Sequence, residues 1–201
     1  MLDPDTVKGF LDPLEGAALA ALAREAGRLG PVLEIGSYCG KSALYLGPAA
    51  REAGSLLYTL DHHRGSEEHQ AGEEYHDPEL FNAELGAVET LPALRSTLFR
   101  AGLEDCVVPL VGRSALIAAH WSTPLGMVFI DGGHSMDAAL ADYRGWSGQL
   151  VAGGILAIHD VFPDPADGGR PPYEIWKLAV ASGLYETVNR VGTLEVLRRL
   201  A

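Results

Sequence analysis

The sequence predicts an α/β fold with a doubly wound, mostly parallel sheet of seven strands that ends in an antiparallel hairpin. Short apolar runs alternate with longer amphipathic runs, which is typical of parallel strands joined by covering helices. Near the carboxyl terminus, two β-rich runs are separated only by a Val-Gly pair, which favours a hairpin. With 201 residues and 47% hydrophobic content, the chain is long enough for one domain with a full core.

Five apolar runs are the predicted parallel strands, at residues 32–35, 56–60, 107–111, 127–130 and 155–158. Helices are expected between them, one of them over residues 43–53, and two more before Leu29. The hairpin is predicted from residues 185–190 and 193–199. We therefore expect a single domain over residues 1–201, with N-terminal helices in residues 1–29 and the α/β core in residues 30–201.

Composition excludes several classes of partner. The formal charge is −12, from 15 basic and 27 acidic residues, which argues against binding to a nucleic-acid backbone. The first residues lack the basic start and apolar core of a signal peptide, and no apolar run approaches the roughly 20 residues that cross a bilayer. A cytoplasmic protein without a membrane partner is predicted. Two cysteines provide no disulfide framework.

A glycine-bracketed turn follows the first strand and leads into the helix at residues 43–53. Gly36 and Gly40 bracket it, and glycine both adopts backbone angles that strain other residues and leaves room for a ligand against the backbone. One strand later, Asp61 stands where an acid can accept hydrogen bonds from both hydroxyls of a ribose. Together they predict an adenosine-containing cofactor.

Three other interpretations of the turn are weaker. A nucleotide triphosphatase loop has four residues between its first glycine and the Gly-Lys pair, whereas only three separate Gly36 from Gly40-Lys41. A dinucleotide-binding turn has glycine at its third position, where Tyr38 would crowd a pyrophosphate. A turn without any ligand is disfavoured by Asp61.

Five motifs, within roughly residues 30–160, resemble the class I S-adenosylmethionine-dependent methyltransferases. They are residues 34–42, Asp61-His62, Gly112-Arg113-Ser114, residues 130–134 and residues 153–160. The Asp-Gly-Gly-His and His-Asp sequences more narrowly resemble small metal-dependent O-methyltransferases related to the macrocin and mycinamicin sugar methyltransferases and to the cephalosporin-hydroxylase group. The loop at residues 160–173 is similar to that of small actinobacterial enzymes, among them the one that methylates mannosides during methylmannose polysaccharide synthesis.

The resemblance implies S-adenosylmethionine as the cofactor. Glu34, Gly36 and Gly40 would shape the methionine pocket, Asp61 would hold the ribose, and Ser114 would lie near the adenine. The full implied set of cofactor-binding residues is Glu34, Gly36, Ser37, Tyr38, Gly40, Ser42, Asp61, His62, Gly112, Ser114 and Asp131.

Four polar residues, Asp131, His134, His159 and Asp160, follow two strands that are predicted to be neighbours. A divalent ion held there could bind a substrate hydroxyl, lower its pKa and orient it towards the methyl group. The resemblance implies Asp131, His159 and Asp160 as metal ligands, with Asp131 and His134 as the catalytic residues.

A histidine such as His134 suits a general base, because its unperturbed pKa is about 6.5. The alternative role for His134 is to cap a helix that begins near Ser135. His159 stands where relatives carry a carboxylate, so it favours Mn²⁺ over Mg²⁺ or else lies beside the ion without binding it.

The predicted function is methyl transfer from S-adenosylmethionine to a hydroxyl of a sugar, a glycoside or a natural product, with a divalent metal, Mg²⁺ or Mn²⁺. The acceptor is expected to be a small molecule or an oligosaccharide. Four aromatic residues could flank it, although packing is the commoner role of such residues: Tyr75, Phe162, Tyr173 and Trp176. Relatives also imply a homodimer in which a partner's N-terminal helices complete the acceptor pocket. The alternatives are a catechol-type aromatic O-methyltransferase, a non-catalytic S-adenosylmethionine-binding protein and, third, a nicotinamide dehydrogenase.

Overall fold

The computed structural model describes residues 2–66, 70, 72, 76–133, 135–164 and 166–201. The strands are β1 Val32–Ile35, β2 Leu57–Asp61, β3 Phe81–Asn82, β4 Ala87–Val88, β5 Val107–Val111, β6 Leu125–Ile130, β7 Leu150–Ile158, β8 Tyr185–Val191 and β9 Leu194–Arg199. The α-helices are α1 Pro13–Ala26, α2 Ala43–Glu52, α3 Leu91–Ala101, α4 Ser114–Ala118, α5 Met136–Trp146 and α6 Arg170–Ala181. Short 3₁₀ turns lie at Pro4–Thr6, Pro78–Leu80 and Ser147–Gln149.

Seven strands form one sheet in the order β5-β2-β1-β6-β7-β9-β8. The first five of these strands pair in parallel, whereas β9 pairs antiparallel with both β7 and β8. The predicted fold class, including the closing hairpin, is confirmed. The chain moves from β1 to β2 on one side and returns to β6 on the other, so a crevice opens at the carboxyl ends of β1 and β6, where ligands bind in such sheets.

The core lies on both faces of the sheet, and β6 is buried at every position. Met127 and Phe129 belong to the cluster packed under α1, α2 and α3, whereas Val128 and Ile130 belong to the cluster that contains Trp146 of α5. Successive side chains of a strand point to opposite faces, so one continuous apolar run serves both layers. Among the described residues no helix is both long and apolar enough to span a membrane.

The N-terminal segment differs from the prediction of two helices. Its described residues, 2–29, contain one 3₁₀ turn and one α-helix, α1. Pro13 disfavours a helical backbone at Asp12, so α1 begins at Pro13 and Asp12 caps it through its side chain. The small antiparallel pair of β3 and β4 was not predicted either.

Candidate active site

The turn after β1 is held against the end of β6 by a close approach of two backbone segments. Gly36 has φ +93°, and a Cβ atom there would overlap the carbonyl oxygen of Asp131. The amide of Asp131 donates to the carbonyl of Ile35 at 2.9 Å. Glycine is therefore required by packing between two strand ends, and not only by the space for a ligand that the sequence suggested.

The same turn is joined to the end of β2 by Asp61. One carboxylate oxygen of Asp61 accepts from the amide of Tyr38 at 3.0 Å, and the other accepts from the amide of His63 at 2.7 Å. Tyr38 and His63 both have positive φ angles, of 44° and 59°. Such strained residues cluster at functional sites, and here they fix the carboxylate of Asp61 at the carboxyl end of the sheet.

Glu34 is a fully buried acid in β1. Burial raises the pKa of Glu34 to about 8; nearby Ser42 lowers it in part, and the charges of Asp131 and Asp61 raise it further. Neither carboxyl oxygen of Glu34 completes a hydrogen bond within the described part of the chain, and the same holds for the buried hydroxyl of Ser37. The charges of Asp61 and Asp131 therefore act on a buried acid that has no hydrogen-bond partner of its own among the described residues, and a positively charged ligand at this point would be favoured by all three groups.

The predicted adenine side is built from the ends of β2 and β5. Gly112 donates its amide to the carbonyl of Asp61 at 3.0 Å, and the exposed His62 follows Asp61 directly. The hydroxyl of Ser114 accepts from the indole of Trp146 at 2.8 Å. The sequence did not point to Asp142, a buried acid on α5; burial raises its pKa to about 6, and a hydrogen bond with Ser114 lowers it in part.

The predicted metal ligands come together as expected. One ligand atom each of Asp131, His159 and Asp160 lies within 4.8 Å of the others. Nδ1 of His159 is 2.9 Å from Oδ1 of Asp131 and 3.4 Å from Oδ2 of Asp160. Asp160 has φ +56°, so it is a third strained residue at the same edge of the sheet. Two carboxylates and an imidazole at this spacing form a donor set that fits a divalent cation.

An acid that sequence reasoning missed completes this cluster. Oε2 of Glu15, in the first turn of α1, lies 2.8 Å from Nε2 of His159. Burial lowers the pKa of His159, but the charge of Asp131 and hydrogen bonds with Asp131, Asp160 and Glu15 raise it to about 12. Burial likewise raises the pKa of Glu15, but the hydrogen bonds with His159 and Thr193 lower it to about 2. Without a bound cation, His159 is therefore an imidazolium between carboxylates.

His134, the predicted general base, lies outside the described residues. The residue that follows it, Ser135, is the N-cap of α5, and its hydroxyl accepts from the amide of Ala138 at 3.3 Å.

Of the aromatic residues predicted to flank an acceptor, Tyr75 also lies outside the described residues. On α6, the rings of Tyr173 and Trp176 lie 5.5 Å apart, and the buried indole nitrogen of Trp176 has no hydrogen-bond partner among the described residues.

Residues 33–161 match the sequence profile of a family described as a methyltransferase domain. The matched segment begins in β1 and ends just beyond Asp160, so it contains Asp131, His159 and Asp160 but not Glu15. The chain belongs to the methyltransferase-domain family.

Solved structures share the fold of this methyltransferase at low sequence identity. The methyltransferase PaMTH1 of Podospora anserina, bound to SAH, is 18% identical, with 96% of this chain and 80% of that chain covered and a TM-score of 0.67. The O-methyltransferase TomG of Streptomyces achromogenes, involved in tomaymycin synthesis and bound to SAM, is 18% identical, with coverages of 96% and 82% and a TM-score of 0.64. An O-methyltransferase of Bacillus cereus bound to SAH is 19% identical, with coverages of 96% and 83% and a TM-score of 0.65.

A cleft of about 400 Å³ lies beside the glycine turn of this methyltransferase. Phe10 and Tyr38 line it, and their ring centroids are 6.1 Å apart. Lys8, on its rim, forms ion pairs with Asp77 and with Glu79, so the N-terminal segment is tied to the segment that precedes β3. The cleft places an aromatic wall next to the candidate cofactor turn.

Proposed function

We propose that this methyltransferase transfers the methyl group of S-adenosylmethionine to a hydroxyl oxygen of a small molecule. The observation that carries the proposal is the buried acid Glu34, grouped with Asp61 and Asp131 at the carboxyl ends of the strands. S-adenosylmethionine carries a sulfonium and an ammonium group, and both positive charges would be stabilised by such a cluster. TomG, which has the same fold, was solved with SAM.

The cofactor would lie across the ends of β1, β2 and β5. The carboxylate of Asp61, which the amides of Tyr38 and His63 hold, can still accept hydrogen bonds from ribose hydroxyls. The remaining residues of the proposed cofactor set are Glu34, Gly36, Ser37, Gly40, Ser42, His62, Gly112, Ser114 and Asp131.

We further propose that Asp131, His159 and Asp160 hold a divalent cation, Mg²⁺ or Mn²⁺. When bound, such an ion would supply a positive charge that lowers the pKa of a coordinated substrate hydroxyl. Because His159 is an imidazolium in the free protein, the cation must displace the proton on Nδ1, and its affinity should rise with pH.

His134 is the proposed general base, an assignment that rests on the sequence Asp131-Gly132-Gly133-His134 and on the pKa range of histidine. The proposed acceptor is a sugar, a glycoside or another natural product, including an oligosaccharide. The aromatic pair Tyr173 and Trp176 supports this acceptor class, because aromatic faces can stack on a sugar ring.

The deciding experiment is a calorimetric titration with S-adenosylmethionine, with Mg²⁺ and with a chelator, followed by methyl-transfer assays on sugar and catechol panels. Methylation of catechols alone would favour the catechol-type alternative. Binding without turnover on any acceptor would favour a non-catalytic binding protein. Absence of S-adenosylmethionine binding under every condition would contradict the proposed function, and binding of a nicotinamide dinucleotide instead would favour the dehydrogenase.

Asp160→Asn tests the metal-binding part of the proposal. Asparagine tolerates the positive φ of Asp160 better than alanine, so the variant removes the charge with little backbone strain. Loss of a residue that only supports a metal ligand typically lowers activity ~10–100-fold. We expect the loss of a ligand itself to lower turnover by at least as much. The affinity for S-adenosylmethionine should change by less than about twofold, because the cofactor set is intact. Turnover equal to that of the unmodified protein would exclude Asp160 as a ligand.

A further inference from the structure

We propose that Glu15 is a positioning residue for the candidate metal site. It accepts the Nε2–H of His159 and thereby directs Nδ1 towards Asp131 and Asp160. This inference builds on the metal site proposed above and adds to it a residue from the N-terminal helix, 144 positions away in sequence.

Glu15 is buried, and both of its carboxylate oxygens are engaged. Its side chain is 6% exposed, and Oε2 lies 2.8 Å from Nε2 of His159. Oε1 accepts from the amide of Thr193 at 2.7 Å and from its hydroxyl at 3.0 Å. The carboxylate therefore joins α1, the end of β7 and the turn between β8 and β9.

The turn between β8 and β9 leaves space for this carboxylate. Gly192 has φ +57°, and a Cβ atom there would lie 2.5 Å from Oε1 of Glu15. A side chain at position 192 would push against the acid, so glycine is required both by the backbone conformation and by the acid packed against it. The position of Glu15 is fixed from two sides, by Thr193 and by Gly192.

The hydrogen bonds dictate where His159 carries its protons. A carboxylate accepts only, so the ring nitrogen that faces Glu15 must carry a hydrogen. That nitrogen is Nε2. Nδ1 faces Asp131 and carries the second proton of the imidazolium, so it can offer a lone pair only to a cation that binds between Asp131 and Asp160 and displaces this proton. A histidine that ligates a metal commonly donates its other N–H to a carboxylate in this way, which fixes both ring orientation and tautomer.

Glu15→Gln is the test, because glutamine keeps the size of the side chain but can accept through one atom only. The amide N–H of Thr193 is an obligatory donor, so the glutamine oxygen should face Thr193 and its NH₂ group should face Nε2 of His159. His159 would then carry its proton on Nδ1, where it blocks the cation. We expect the affinity for Mn²⁺, measured by electron paramagnetic resonance, to fall by about 10–100-fold.

Thr193→Val is the matched control. It removes the hydroxyl bond to Oε1 but keeps the amide bond and the contact of Glu15 with His159. Thermal stability should fall, while the Mn²⁺ affinity stays within about twofold of the unmodified protein. S-adenosylmethionine affinity should be retained in both variants, which shows that each is folded. Equal loss of Mn²⁺ affinity in both variants, or unchanged affinity in Glu15→Gln, would overturn the inference.

A second measurement does not depend on metal. In protein labelled with ¹⁵N-histidine, the His159 signals, assigned with a His159→Asn variant, should show a proton on Nε2 that exchanges slowly with water. This proton should be lost in Glu15→Gln and kept in Thr193→Val. A wild-type Nε2 without a proton would overturn the inference. If the proton behaves as expected but the unmodified protein binds no Mn²⁺, the proposed metal site fails and the positioning of His159 by Glu15 stands.

Discussion

Glu34 is a carboxyl group buried in β1, and its pKa of about 8 reflects first its burial and then the charges of Asp131 and Asp61. In the free protein at pH 7 this group is mostly protonated. A cation such as the sulfonium of S-adenosylmethionine would stabilise the ionised form and lower the pKa. We therefore expect cofactor binding at pH 7 to release up to about one proton.

Calorimetry in buffers of different ionisation enthalpy measures this proton release. In Glu34→Gln the release should disappear, because glutamine has no proton to lose. The matched control is Asp142→Asn, since Asp142 is another buried acid with a raised pKa but lies on the proposed adenine side. Release of the same number of protons by Glu34→Gln and by the unmodified protein would contradict the role of Glu34.

The raised pKa of Glu34 also predicts how stability depends on pH. The pKa rises from 4.5 to about 8 on folding, so the folded state binds the proton more tightly than the unfolded state. The contribution of Glu34 to the free energy of unfolding is therefore largest at low pH. It falls as pH rises from about 4.5 to about 8, by at most about 1.4 kcal/mol per pH unit. In Glu34→Gln, the free energy of unfolding measured by urea denaturation should change less with pH than in the unmodified protein. The difference should be clearest between pH 5 and 6, because the raised pKa of His159 makes stability fall with pH only above about 6.5. Parallel pH profiles would contradict this expectation.

At the scale of secondary-structure elements, the parallel strands and the closing hairpin could be predicted because their signal is local. Apolar runs such as β6, which is buried at every position, can be recognised as strands from the sequence alone. The clustering of Asp131, His159 and Asp160 was likewise predictable, since the carboxyl ends of parallel strands share one edge.

The contribution of α1 to the site could not be predicted in the same way. Glu15 stands in the first turn of a helix, where an acid is expected simply because it complements the helix dipole. Its burial depends on a turn 178 residues away, between β8 and β9. The pair of β3 and β4 was also missed, because each strand has only two residues and therefore no measurable period.

The contact between the ends of β1 and β6 gives a prediction at this scale. Gly36→Ala places a Cβ atom against the carbonyl of Asp131, and it must also adopt a positive φ. Gly54→Ala is the control, because Gly54 has φ +74° and nothing within 4 Å of its Cβ position. We expect Gly54→Ala to lose about 1 kcal/mol from strain alone and Gly36→Ala to lose several times more and to bind no S-adenosylmethionine. Equal losses in denaturant titrations would contradict the packing argument.

At the scale of the whole molecule, a charge of −12 disfavours contacts between acidic surfaces of two copies, so association must rely on apolar patches. Leu14, on the first turn of α1, is 73% exposed and precedes Glu15, so it lies on the segment that contacts the candidate site. A second copy that covers Leu14 would bring its own surface to the rim of this site. Such a contact is the one that the homodimer implied by the family resemblance would need.

We therefore expect a particle of about twice 21.4 kDa in light scattering coupled to gel filtration. Leu14→Ser should shift it towards the monomer, because burial of a leucine at an interface contributes about 1.5–3 kcal/mol. Leu116→Ser is the control, since Leu116 is 63% exposed on α4, away from α1. If the partner copy completes the acceptor pocket, Leu14→Ser should raise KM for the acceptor at low protein concentration and leave the affinity for S-adenosylmethionine unchanged. A monomeric unmodified protein with full turnover would exclude a contribution of the partner copy to the site.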